Sequence, residues 1–176
     1  MAPAPYYRDV GIKNLRPRFL PLLGLALVTI VSGCDRGGHP TEIGRPAPDF
    51  TVSDGASTVH LAGYRGQVVL LNFWESNCAP CILELPSFLQ FHHEHPEITI
   101  VSVSSDRDPD SYERFIHQRH VDFISVRDPD QTAGNKFSIT GWPETFVIDR
   151  QGRIRRRFIG ATDWNDPEIL RYLKTL

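Results

Sequence analysis

The stretch QVVLLNFWESNCAPCILELP, residues 67–86, restricts the possible folds of this 176-residue chain more than any other part of it. Val68 to Trp74 is a near-continuous apolar run with β-branched members, the pattern of a central strand covered on both faces. Two cysteines follow at once, Cys78 and Cys81, separated by Ala79 and Pro80. From Pro80 to about His92, apolar residues recur at Ile82, Leu85, Phe88, Leu89 and Phe91, a helical spacing. The two thiols therefore stand where a buried strand hands over to a helix. Thiols at this spacing can close a short disulfide. The first lies beside unpaired backbone N–H groups and the positive end of the helix dipole, which favours its thiolate. That thiolate can attack a disulfide, and the second thiol can resolve the mixed disulfide that results. Cys78 reads as the nucleophile and Cys81 as the resolving thiol. The spacing alone leaves a zinc site open, with His92, His93 and His95 as the obvious further ligands. The same histidines also suit the last turn of a helix without any metal.

The third cysteine, Cys34, ends a different kind of sequence. Residues 1–18 carry Arg8, Lys13, Arg16 and Arg18 against Asp9, and the fifteen residues from Phe19 to Gly33 hold no charge. A helix needs about 20 apolar residues to cross a hydrocarbon core, so this run is too short to span comfortably. A basic head, a short apolar stretch and small residues at its end read as an export signal. Its last residues, VSGC, resemble the lipobox of bacterial lipoproteins, which implies cleavage before Cys34 and lipidation of that residue. Asp35 after it resembles the inner-membrane retention signal of some Gram-negative lineages. Residues 1–33 are thus expected to be a signal peptide and 34–42 a lipid-anchored tether, facing the periplasm or the extracellular side. Without residues 1–33 the chain keeps 15 basic and 20 acidic residues, a net charge of −5. No basic footprint for nucleic acid is present. The two remaining cysteines would be exported to a compartment where disulfides persist.

The rest of the chain alternates strands and helices around one mixed sheet. Short alternating runs at Phe50–Ser53 and Thr58–Leu61 flank Asp54–Gly55 and predict a hairpin. EITIVSVSS is a second buried strand, DPDSYERFIHQRH an amphipathic helix, DFISV a short strand and DQTAGNKFSI a short helix. ETFVIDRQGRIRRRFIG predicts a hairpin turning at Arg150–Gly152, and DPEILRYLKTL a closing helix with Pro167 in its first turn.

Strand, CxxC, helix and, about sixty residues on, GWPETFVID: in this order the chain resembles a thioredoxin fold. IGRPAPDF, LAGYRGQVVLLNFW, CAPCILELP, the insert from Ser104 to Asp130 and TGWPETFVIDRQGRI make the resemblance specific. It is to the TlpA/ResA/CcmG group of membrane-tethered, extracytoplasmic thioredoxin-like reductases, with WPETFVID most like the CcmG/DsbE branch. The resemblance implies an α/β thioredoxin-like domain over residues 43–176. Its mixed central sheet would be flanked by helices and carry an N-terminal β-hairpin and a central helix–strand insert. It implies that Pro143 is a cis-proline facing the CxxC and that the backbone of Trp142 pairs with an extended substrate. It implies that Glu84, one helical step beyond Cys81, tunes the thiols and takes part in proton transfer. It implies no cofactor and no metal. The expected partners are an exported disulfide-containing protein, such as apocytochrome c, and a membrane-embedded thiol donor of electrons; a monomer is expected.

The chain also departs from its group. Thioredoxin itself keeps a buried aspartate where Asn72 stands, so Glu84 becomes the better candidate base. Asn77 replaces a frequent Trp before the first cysteine and could cap the helix. Glu75 would raise a thiol pKa if close and buried. Glu144 reads as an exposed strand residue, Pro86 as a kink, and Arg153, Arg155, Arg156 and Arg157 as a solvated edge. Ala-Pro between the cysteines and carboxylates around them favour a reductant. Two rivals stay open. A peroxidase of the PxxxTxxC type would need proline at Leu71 and threonine at Glu75, and a copper chaperone on the same fold normally uses CxxxC.

Overall fold

The computed structural model describes Thr41 and residues 43–176; the apolar run, Cys34 and most of the expected tether lie outside the described residues. A five-stranded sheet forms the centre, in spatial order β5 (Ile124–Arg127), β4 (Ile98–Ser104), β3 (Val68–Trp74), β6 (Glu144–Ile148) and β7 (Ile154–Ile159). β3, β4 and β5 run parallel, while β6 and β7 run antiparallel to their neighbours. The sheet is mixed, as expected.

All seven residues of β3 are buried, as its near-continuous apolar run leads one to expect, Asn72 included. Successive side chains point to opposite faces. Val69, Leu71 and Phe73 join one core with Phe50, Val52, Phe137 and Phe146. Val68, Leu70 and Trp74 join the other with Phe88, Phe91, Phe115, Trp164 and Leu173. Truncating a fully buried phenylalanine such as Phe73 to alanine costs roughly 3–5 kcal/mol.

The first face is covered by the hairpin β1 (Thr51–Ser53) and β2 (Thr58–His60), a short 3₁₀ turn at Leu61–Tyr64, and helix α3 (Thr132–Phe137). The hairpin loop is Asp54–Ser57, wider than a two-residue Asp-Gly turn, because Ser53 pairs with Thr58. The Asp54 carboxylate closes it by accepting from the Ala56 and Ser57 amides. Gly55, at φ +91°, supplies the left-handed residue the loop needs. The second face is covered by α1 (Ala79–Glu94), α2 (Pro109–Arg119) and α4 (Pro167–Leu173). Asp108 and Asp166 cap α2 and α4 just before a proline at the first helical position. α1 continues through Pro86. Among the described residues no helix is long and apolar enough to cross a membrane.

Candidate functional site

The parallel strand β3 ends at Trp74, and a tight turn, with the Cys78 amide donating to the Glu75 carbonyl at 3.2 Å, delivers the chain to α1. Cys78 itself is the N-cap of that helix: its Sγ accepts from the Cys81 amide at 3.2 Å. The expectation that Asn77 caps the helix is corrected. Asn77 lies one residue too early, and the cysteine sulfur occupies the acceptor position. Cys78 and Cys81 are joined as a disulfide. Cys78 is half-buried, whereas Cys81 is 6% exposed, so only the first sulfur is open to a large partner. A backbone N–H aimed at Cys78 Sγ favours its thiolate once the bond is reduced.

Glu84 is 4% exposed, not solvent-facing. It lines a cavity of about 20 Å³ together with Cys81, Asn72, Trp74, Leu85, Phe88 and Ser102. That volume admits no organic cofactor. Burial pushes the Glu84 carboxyl up to about 7, against the opposing pull of hydrogen bonds from the Trp164 indole and the Thr162 backbone. Trp164 Nε1 donates to Glu84 Oε1 at 2.5 Å. Asn72, at the position of the missing aspartate, donates its amide to Thr145 Oγ1 at 2.9 Å and leaves Glu84 as the carboxylate in that cavity.

The peptide between Trp142 and Pro143 is cis. Phe73 pairs with Glu144, so Pro143 stands at the β3 end that leads to the cysteines. Pro143 is buried and its carbonyl accepts from Gly160, while Trp142 is half-buried and packs against both cores. Two apolar side chains near this end stay open to solvent: Leu83, 77% exposed, and Ile159, 67% exposed.

Glu144 is corrected from an exposed to a wholly buried residue. As the first residue of β6 it lies between β3 and β7, on the face of Phe146. It pairs with Arg157 Nε and accepts from the Thr140 amide at 3.3 Å. Arg157 in turn stacks on Phe146 at 5.3 Å. Of the arginine run, Arg153, Arg155 and Arg156 are exposed along the edge strand as expected, and only Arg157 is drawn inward. Arg155 faces Asp149 at 3.7 Å, and Arg156 lies over Phe158 at 4.6 Å and over Tyr172 at 5.5 Å.

Glu75 is half-buried, and burial together with the neighbouring charge of Asp106 raises its carboxyl, partly offset by Arg107. Asp106, which the sequence does not single out, is buried and pins the turn before Cys78. It accepts from the Ser76 amide at 3.0 Å, from Ser76 Oγ at 2.6 Å and from Ser104 Oγ at 2.6 Å. Trp164 is the other residue that sequence reasoning missed, since eighty positions separate it from Glu84. The three histidines do not converge. His93 bonds Asp122 at 2.8 Å, His92 lies 4.0 Å from the same acid, and His95 faces Glu97 at 3.7 Å. Among the described residues no group of three or more His, Cys, Asp or Glu side chains could hold a metal ion.

Comparison with known proteins agrees with this geometry. The AhpC/TSA family matches residues 43–157. The thiol-disulfide oxidoreductase ResA of Geobacillus kaustophilus is 30% identical over 137 residues, 76% of this chain and 78% of its own. The thiol:disulfide interchange protein DsbE of Pseudomonas aeruginosa is 30% identical over 125 residues, 69% of this chain and 68% of its own. Among solved structures, a Chlorobium tepidum protein described as a thiol:disulfide interchange protein DsbE superposes with a TM-score of 0.69. It is 28% identical, with 76% of this chain and 96% of that one covered. The thioredoxin-like fold expected from the sequence is the fold observed.

Proposed function

The chain belongs to the AhpC/TSA family, among the thiol–disulfide oxidoreductases of the ResA and DsbE kind, and we propose that it works outside the cytoplasmic membrane as a lipid-tethered reductase of exported proteins. The observation that carries this reading is the pairing of an open sulfur, Cys78 at the helix mouth, with a closed one, Cys81, that shares a cavity with a carboxyl of pKa about 7.

In the reduced protein the Cys78 thiolate attacks a substrate disulfide. One substrate sulfur leaves as a thiolate and the other stays bonded to Cys78. Cys81 then gives its proton to the Glu84 carboxylate, and its thiolate attacks Cys78 Sγ. The second substrate sulfur leaves, both substrate sulfurs take up protons, and the Cys78–Cys81 disulfide closes. Two electrons have passed to the substrate, and a thiol donor in the membrane restores the dithiol. The Trp142 backbone before Pro143 would align the extended substrate segment. The direction is supported by Ala79 and Pro80, which offer no charge to stabilise the reduced form, and by the acidic pair Glu75 and Asp106 beside the nucleophile's turn. WPETFVID favours cysteines of the apocytochrome c type as substrate. The VSGC sequence supports lipid on Cys34 as the anchor, and the charge-free run before it supports export. Leu71 and Glu75, at the proline and threonine positions of a PxxxTxxC peroxidase, give that alternative no support.

The test is to express the full chain as Cys81→Ala and as Cys78→Ala and to collect disulfide-linked complexes. Complexes are expected with Cys81→Ala alone, because Cys78 then captures substrates it cannot release. Equal capture by Cys78→Ala would overturn the assigned roles.

A further inference from the structure

The loop between β7 and α4 is stitched to α1 just beyond the disulfide. Ser87 Oγ donates to the Glu84 carbonyl at 2.9 Å and to the Thr162 carbonyl at 3.4 Å, and it accepts from the Trp164 amide at 3.2 Å. The Trp164 ring is 1% exposed and packs against Phe88, Phe91 and Phe158, with centroids 4.8, 6.1 and 5.3 Å away. Its indole N–H is spent on Glu84. Glu84 also lines a second space, a groove of about 370 Å³ open to solvent between α1 and this loop, bounded by Leu83, Ser87, Gln90, Thr162 and Asp163. Glu84 thus lines both the cavity it shares with Cys81 and a groove open to solvent.

We propose that Trp164 is a positioning residue for the exchange reaction: its indole N–H holds Glu84 between Cys81 and the groove, fixing how readily the carboxylate takes the proton of Cys81 and passes it to solvent. This rests on the reading of Cys78 and Cys81 as the exchanging pair. The groups around Glu84 are few. Cys81 lines the same cavity from α1, and Asp163 is the other carboxylate in the groove. From β3, β4 and α2 only Asn72, Trp74, Ser102 and Phe115 line the cavity, none of them charged. The indole donates to the carboxylate and so stabilises its ionised form. Losing that donor raises the pH at which Glu84 becomes a base.

The decisive variant is Trp164→Phe, which keeps an aromatic ring against Phe88 and Phe158 and removes the N–H. The reduced full-length protein is mixed with oxidised glutathione at concentrations where the rate no longer rises, so that closure of the Cys78–Cys81 disulfide is measured between pH 5 and 9. The unaltered protein is expected to show an inflection near 7. In Trp164→Phe it moves up by about one pH unit, and closure at pH 7 slows about fivefold. In Glu84→Gln the inflection is lost, and adding Trp164→Phe changes nothing further. An unmoved inflection in Trp164→Phe, or an equal movement in the Glu84→Gln background, overturns the proposal. If Trp164→Phe does not fold, the assigned indole N–H resonance of Trp164 in the unaltered protein decides. It must titrate with the same midpoint as closure and lose that titration in Glu84→Gln; a flat resonance overturns the proposal. If the unaltered protein closes no disulfide with glutathione, the exchange reading itself falls.

Discussion

Glu84 stands three residues after Cys81 on α1, and the two residues line one small cavity. The Glu84 carboxyl protonates at about 7 in the folded chain, against an ordinary 4.5. The native state therefore holds that proton more tightly than the unfolded chain does. Ionising it costs stability, a cost absent below pH 4.5 and fully present above pH 7. Glu84→Gln is expected to be more stable than the unaltered protein by about 2–3 kcal/mol at pH 8 and no more stable at pH 4, measured by urea unfolding. Parallel stability curves for the two proteins across that range would refute this account of the carboxyl.

Arg157→Met removes the partner of a carboxylate that has no access to water. The loss should be about 3–5 kcal/mol, because an uncompensated buried charge remains. Combining it with Glu144→Gln should recover most of that loss. Chemical denaturation of the single and double variants measures both, and an equal loss in each would show that packing on Phe146, not charge, dominates.

Asp106→Ala strips the turn before Cys78 of its acceptor. The expected cost is about 1–3 kcal/mol. Hydrogen exchange should show the change first at the Ser76 amide, whose protection should fall while that of β3 is kept. Unchanged protection at Ser76 would mean that other contacts hold the turn.

Cys34→Ala tests the anchor separately from the chemistry. The altered full chain should leave the membrane fraction, while its Cys78–Cys81 pair still oxidises and reduces against glutathione. Continued membrane association would point to the apolar run, not lipid, as the attachment.

The strands were legible wherever the chain repeats one pattern. Val68–Trp74 is apolar except at Asn72 and lies buried on both faces, and Pro109 and Pro167 mark helix starts as their fixed φ dictates. The place of the two cysteines at the mouth of α1 was legible because strand, spacing and helix are all local, whereas Glu84 was singled out by resemblance and its burial came only with the fold. Glu144 was misread because an acid at a strand start looks solvent-facing until Arg157, thirteen residues on, folds back over it. Asp106 and Trp164 carry no local signature. Their partners Ser76 and Glu84 lie thirty and eighty positions away, and only the closed sheet brings them together. The cap of α1 was misassigned by one residue because a thiol is a poor acceptor by propensity, yet here it holds the right place.

That placement ties the start of α1 to a sulfur of the disulfide itself. Cys78 Sγ is the acceptor on which the first turn of α1 closes, and in the proposed exchange it is also the atom that reacts. In the proposed exchange the Cys81 amide would face a bridged sulfur, a thiolate and a substrate-bound sulfur in turn, each a different acceptor. In that exchange the first turn of the helix would be closed on a different acceptor at each stage.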